Sequence, residues 1–285
     1  MRKKYIFIFL LFLLIFSFSW WMVVKIKEKR KKEGTIKILV QSTESSDSLQ
    51  SMYLAELLEL SMDKPTNIYD FNEKEAKEKL LKSPLIKTVE IKKIKPSTIY
   101  VEYCLRTPVA WLYDLKNIAL DKNGYPFPIY PFLPPKNLPE IYLGENLDVE
   151  DEIFWLNPIS SEKMKLALDL LQVLKSKQDF SFKVKRIDVA NAFAGSYGKR
   201  EIVLLLEHNL LVVNKEREVR FIFPRILRLT VKEYSQQLGN YFVLHNKMIK
   251  DYEKQLQITK STPTTTRFAD KVIDMRILKL AFIDE

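Results

Sequence analysis

The chain contains SPLIKTVEIKKIKPSTIYVEYCLRTPVAWL, residues 83–112, and this stretch decides the fold of the N-terminal part. Apolar and polar residues alternate on both sides of Lys95-Pro96-Ser97, which is typical of two strands joined by a tight turn. The stretch therefore predicts a β-hairpin, and it contains no group of side chains typical of a catalytic centre. The second strand places four apolar residues on one face: Ile99, Val101, Tyr103 and Leu105.

The segments before this hairpin complete a small module. Residues 35–40 alternate like a strand, and residues 48–60 carry apolar side chains at helical spacing. A capping-box-like start at residues 70–73 opens a second helix, which Pro84 ends. The order β-α-α-β-β predicts an α+β module with two helices on one face of a three-stranded sheet.

Residues 5–24, YIFIFLLFLLIFSFSWWMVV, contain no charge. As a helix they would cover about 30 Å, the thickness of a bilayer core, which predicts a transmembrane helix. A cleaved signal peptide is the alternative, with Ser17-Phe18-Ser19 as its cleavage site. The bulky aromatic residues after Ser19 favour an uncleaved anchor, and the intact mass of the N-terminus separates the two cases.

The net charge of +10 is concentrated at the N-terminus. Residues 1–33 hold nine Lys and Arg against two Glu, so most of the excess lies beside the apolar segment. Anionic lipid headgroups are the expected partner of such a segment, and nucleic-acid binding is disfavoured. Six of these basic residues follow the apolar segment, so the positive-inside rule alone would place the large domain inside the cell.

The C-terminal part predicts a larger mixed domain. Its expected elements are a helix over 162–174, a hairpin around Glu207-His208-Asn209, a helix of roughly 25 residues opened by the capping box at 230–233, and a closing strand over 271–277. His208 is then expected in an exposed turn. His245 is expected on the buried face of the long helix.

The sequence shows no zinc-ligand spacing, phosphate-binding loop or nucleophile elbow. The single cysteine, Cys104, excludes an intramolecular disulfide, and the two histidines offer it no evident base. We therefore expect no enzyme, and no catalytic, cofactor-binding or metal-binding residues.

The opening stretch resembles the POTRA module of the bacterial cell-division proteins FtsQ and DivIB. The matching motifs are Pro84-Leu85-Ile86, the turn at 95–99, and Arg106-Thr107-Pro108-Val109-Ala110-Trp111. The likeness continues at 120–124 and 138–144 and closes at Ile273-Asp274-Met275-Arg276. Leu105 and Asn209 depart from the family pattern.

The resemblance implies a cytoplasmic tail (1–4), a transmembrane helix (5–24), a basic juxtamembrane segment (25–33), a POTRA domain (34–106) and an FtsQ-type β-domain (107–285) with a mainly antiparallel sheet. It implies a single-pass protein of the cytoplasmic membrane at the division site, with most of the chain outside the cytoplasm.

The resemblance also implies a function. FtsQ-like proteins are scaffolds that bind single-span coiled-coil proteins of the FtsB/DivIC and FtsL types and link them to septal peptidoglycan synthesis. A partner strand would add to the closing strand, beside the long helix. The alternative is a POTRA-bearing secretion or outer-membrane assembly adaptor. The expected partner-binding residues are Tyr241, Met248, Tyr252, Ile273, Asp274, Met275, Arg276 and Ile277.

Overall fold

The computed structural model describes residues 2–177, 182–214, 217–255, 264–277 and 279–284. The chain divides into two compact units, Met1–Arg106 and Thr107–Glu285. The domain boundaries drawn from the resemblance stay predictions.

The first unit begins with helix α1 (Arg2–Glu33). Among the residues that the structure describes, no helix is both long enough and apolar enough to cross a membrane. This finding overturns the predicted transmembrane helix over residues 5–24.

The remainder of the first unit has the predicted β-α-α-β-β order. Strand β3 lies in the centre of a three-stranded sheet, parallel to β1 and antiparallel to β2. The four residues that the alternation placed on one face of β3 are all buried. The elements are β1 (Ile38–Thr43), α2 (Ser51–Leu57), α3 (Glu73–Leu81), β2 (Ile86–Ile94) and β3 (Thr98–Leu105).

Local hydrogen bonds explain where these elements begin. Asn72 caps α3, because its side-chain Oδ1 accepts from the backbone N–H groups of Lys74 and Glu75. The hydroxyl of Tyr103 accepts from the backbone N–H of Leu49 at 2.9 Å, just before α2. This bond joins the central strand to the segment that starts the first helix of the module.

The second unit is built around one mixed sheet with helices. Its elements are β4 (Ala110–Leu112), β5 (Ile118–Leu120), β6 (Pro126–Pro128), β7 (Glu140–Tyr142), α4 (Glu152–Leu156), α5 (Glu162–Ser176), β8 (Phe182–Asp188), a 3-10 turn (Tyr197–Lys199), β9 (Ile202–Asn214), β10 (Arg217–Leu229), α6 (Tyr234–Gln255), β11 (Thr265–Arg267), β12 (Lys271–Asp274) and β13 (Phe282–Ile283).

The strands of this sheet run in the order β13-β12-β10-β9-β8-β7-β4-β5-β6, and β11 also pairs with β10. The long central hairpin of β9 and β10 is antiparallel. The strands β11 and β12 are parallel to β10, and β7 is parallel to both β4 and β8. The sheet therefore combines parallel and antiparallel strand pairs.

One continuous core lies between this sheet and the helices α5 and α6. Leu204 and Leu206 of β9 and Leu227 of β10 face it, because side chains two residues apart share a face of a strand. Leu170 of α5 packs into the same core. The predicted helices over 162–174 and after residue 230 are thus held by burial of their apolar faces.

The predicted turn at residues 207–209 is wrong. Strand β9 continues through these residues, and His208 pairs with Phe223 of β10. His208 lies on the same face as Leu204 and Leu206 and is only 3% exposed. Its imidazole finds a hydrogen-bond partner in Tyr241 of α6, which permits a polar side chain at a buried strand position.

Candidate functional site

The candidate site is the edge of the second sheet at β12. On its inner side this strand pairs with β10, with Asp274 opposite Arg228. On its outer side Ile273 pairs with Ile283 and Asp274 with Phe282 of β13. The backbone N–H of Asp284 donates to the carbonyl oxygen of Val272 at 3.0 Å. The closing strand predicted from the sequence is therefore covered along residues 272–274 by the chain's own C-terminal segment, residues 279–284.

The side chains along the predicted strand alternate between core and surface. Ile273 is completely buried, Met275 is 6% exposed, and both belong to the main core of the second unit. Ile277 is 53% exposed. The strand itself ends at Asp274, although the backbone N–H of Met275 still donates to the carbonyl oxygen of Arg228 at 2.9 Å.

Asp274 and Arg276 belong to a four-residue ionic network. Arg276 Nη2 lies 2.7 Å from Asp274 Oδ2, and Arg228 Nη1 lies 3.3 Å from the same oxygen. Glu201 accepts from Arg228 Nε at 2.6 Å and lies 3.4 Å from Arg276 Nη1. Two guanidinium groups thus share two carboxylates beside the edge.

The protonation state of this network follows from its hydrogen bonds. Partial burial opposes the charge of Asp274, but hydrogen bonds from Arg276 outweigh this effect and lower the pKa of the carboxyl group. The carboxylate in turn raises the pKa of Arg276. Both groups are ionised at neutral pH, and their geometry holds the backbone at the end of β12.

The predicted residues of the long helix lie on its inner face. Tyr241 is completely buried in the main core, and the partly buried Met248 packs against the same core. Tyr252 packs against Phe223 and Phe268 with ring centroids 5.3 and 6.0 Å apart. These three residues pack α6 against the sheet, and Ile277 is the one member of the predicted set that is more than half exposed.

The sequence pattern did not predict that the C-terminal segment, residues 279–284, covers β12. Leu280 and Phe282 are each 55% exposed, and Ile283 is 37% exposed. A groove of about 250 Å³ lies between this segment and the start of α6, lined by residues that include Gln237, Leu244, Met275, Ile277 and Leu280. The apolar residues near the end of the sequence were the available signal, but β13 has only two residues and shows no periodicity.

Within the described ranges, no group of three or more His, Cys, Asp or Glu side chains is placed to hold a metal ion. The expectation that the chain has no catalytic, cofactor-binding or metal-binding residues stays a prediction.

Comparison with known proteins identifies one domain. Residues 47–102 match the family model described as "POTRA domain, FtsQ-type". The match runs from just before α2 into the central strand β3. No curated protein matches the chain. An FtsQ-type POTRA domain indicates a family of cell-division proteins with a place at the division site, and this family consists of non-enzymatic scaffolds.

The first unit of this chain therefore carries an FtsQ-type POTRA domain, the domain that the resemblance to FtsQ and DivIB implied.

Proposed function

We propose that the chain is a non-enzymatic scaffold of the bacterial division machinery that captures a partner segment by strand addition at β12. The observation that carries this proposal is the FtsQ-type POTRA domain at residues 47–102, which belongs to a family that acts through protein–protein interactions. The proposed partners are coiled-coil division proteins of the FtsB/DivIC and FtsL types, linked through this chain to septal peptidoglycan synthesis.

The proposed binding step is the replacement of β13 by the partner strand. Two residue pairs join β13 to β12, and Phe282 stays more than half exposed in this arrangement. The C-terminal segment thus gains little from apolar burial and few backbone hydrogen bonds, each worth about 1 kcal/mol net. A longer partner strand could pair with residues 272–277 and would form more backbone hydrogen bonds.

The proposed roles of the predicted residues follow from their positions. Ile273 to Ile277 would supply backbone groups to the partner strand, and Ile277 would supply an apolar contact beside the groove at α6. Asp274 and Arg276 would hold this backbone segment in place through the ionic network. Tyr241, Met248 and Tyr252 would fix α6 beneath the sheet.

The test is affinity capture of the tagged full-length chain from dividing cells, with partners identified by mass spectrometry. The wild-type chain is expected to enrich small coiled-coil division proteins, and Ile277→Asp is expected to lose most of this enrichment. Tyr130→Asp is the matched control, because Tyr130 is a 76% exposed apolar side chain elsewhere in the second unit.

Equal capture by Ile277→Asp and wild type would contradict the proposed edge. Recovery of secretion or outer-membrane assembly proteins in place of division proteins would contradict the division role and favour an adaptor of another machinery.

A further inference from the structure

The layer between α6 and the strands β10 and β11 contains buried polar atoms without partners. Within the part of the chain that the structure describes, the buried side-chain atoms that lack a hydrogen bond are Arg225 Nε and Nη2, His245 Nδ1 and Thr266 Oγ1. They come from the three elements that border this layer. Buried polar groups in folded proteins are nearly always hydrogen-bonded, so such a concentration requires an explanation.

Arg225 is the charged member of the layer. Its side chain is only 1% exposed, and its Nη1 donates to the carbonyl oxygen of Pro224 at 2.9 Å. None of the ion pairs among the described residues includes Arg225. Burial lowers the pKa of this guanidinium, but arginine keeps its proton in proteins. A buried charge without a counter-charge is strongly unfavourable.

The neighbouring groups cannot neutralise Arg225. Burial lowers the pKa of His245 to about 4 and that of His208 to about 2, and the positive charge of Arg225 adds to both shifts. Both imidazoles are therefore neutral at pH 7. Burial raises the pKa of Tyr241, so its hydroxyl stays protonated. The cation Arg225 is thus surrounded by neutral rings, including Phe223 at 5.6 Å from its Cζ.

We infer that this layer is an internal anion-binding site, and that a single small inorganic anion such as chloride is held by Nε and Nη2 of Arg225 together with Nδ1–H of His245. The two guanidinium N–H groups point in a fixed geometry that suits a single acceptor. A monovalent anion would balance the one buried charge and satisfy at least three of the four unpartnered atoms.

The tautomer of His245 follows from this assignment. Its Nδ1 carries the proton so that it donates to the anion, and the ring contacts that of His208 at a centroid distance of 3.5 Å, with the two planes tilted by 31°. The anion site therefore ties α6 to β10, independently of the proposed partner-binding edge.

The test is thermal unfolding of the full-length chain at neutral pH, with sodium chloride replacing sodium gluconate at constant ionic strength. The midpoint is expected to rise by about 3–5 °C for each tenfold increase of chloride above its dissociation constant. Arg225→Met is expected to lose this dependence. Arg220→Met should keep it, because Arg220 lies on the exposed face of the same strand.

A second measurement covers the case in which Arg225→Met does not fold. Crystals of the wild-type chain grown with sodium bromide are expected to show an anomalous peak within hydrogen-bonding distance of Arg225 and His245. Retention of the full chloride response in Arg225→Met would overturn the inference. A wild-type chain with no chloride response and no bromide peak at Arg225 would overturn it as well.

Discussion

His208 of β9 and His245 of α6 are in ring contact in the buried layer of the second unit, with centroids 3.5 Å apart and planes tilted by 31°. The Nε2 atom of His208 and the hydroxyl of Tyr241 share a hydrogen bond of 2.7 Å. Arg225 faces both rings from β10, and its charge together with burial keeps them neutral. This contact joins the central hairpin to the long helix, and it makes the stability of the unit sensitive to acid.

We expect the free energy of unfolding to decrease as the pH falls below about 6.5. The pKa of each histidine is lowered in the folded state, so the unfolded chain binds more protons in this range, and stability falls with pH. For His245 the free energy of unfolding decreases as the pH falls from 6.5 towards about 4, which is the pKa of this histidine in the folded state. The total decrease from this group is about 3 kcal/mol.

Urea unfolding at a series of pH values measures this effect. His245→Phe should have a shallower decrease between pH 6.5 and 4, whereas Val243→Ala, on the exposed face of the same helix, should match the wild type. Identical pH profiles for wild type and His245→Phe would contradict the assignment.

The ionic network beside β12 is expected to contribute measurably to stability. Asp274→Asn should lower the free energy of unfolding by about 1–2 kcal/mol, because Arg228 and Arg276 then share Glu201 alone. A double-mutant cycle of Arg228→Met and Asp274→Asn measures their coupling. The exposed pair Asp251 and Lys254 is the control and should show coupling near zero. Equal coupling in the two cycles would show that the network contributes no more than an exposed pair.

Removal of residues 281–285 is expected to raise the affinity for the captured partner about tenfold. The partner would no longer have to displace β13, whose loss costs about 1–2 kcal/mol in backbone hydrogen bonds. Titration calorimetry with the partner identified by capture measures the dissociation constants of the two forms. Weaker binding by the truncated chain would mean that the partner requires β13 as its template.

Tyr103→Phe is expected to destabilise the POTRA domain by about 1–3 kcal/mol. The substitution removes the acceptor of the buried N–H of Leu49 and leaves that donor without its partner at 2.9 Å. Hydrogen exchange of the full-length chain should show faster exchange at Leu49. Tyr100→Phe, on the other face of the same strand, is the control. Unchanged protection of Leu49 in Tyr103→Phe would show that this hydrogen bond is dispensable.

The local pattern was sufficient for elements whose hydrogen bonds and buried faces arise from neighbouring residues. The second strand of the hairpin at residues 86–105 follows from its alternation, and α3 follows from its cap and its apolar spacing. The buried position of His245 follows in the same way from the apolar stripe of α6. The motifs around these elements also led to the FtsQ-type POTRA domain that the family comparison supports.

Other features depend on residues that are far apart in the sequence. His208 is polar and lies between Glu207 and Asn209, so its place in a strand depends on pairing with Phe223 of β10 and on the hydrogen bond to Tyr241, which lies 33 positions away. The covering of β12 by β13 rests on two residue pairs that no periodicity reveals. Likewise, the pairing of Arg228 and Arg276 with both Glu201 and Asp274 could not be read from any local motif.

The sequence by itself determined the β-α-α-β-β order of the first module and the helices α5 and α6 of the second unit, because alternation, helical spacing and capping act over a few residues. Only the tertiary structure decided that β13 covers the edge of β12 and that Arg228 forms an ion pair with Asp274. It also decided that Arg225 is buried without a counter-charge. These outcomes depend on long-range packing, in which the environment of each side chain is set by segments that the local sequence does not contain.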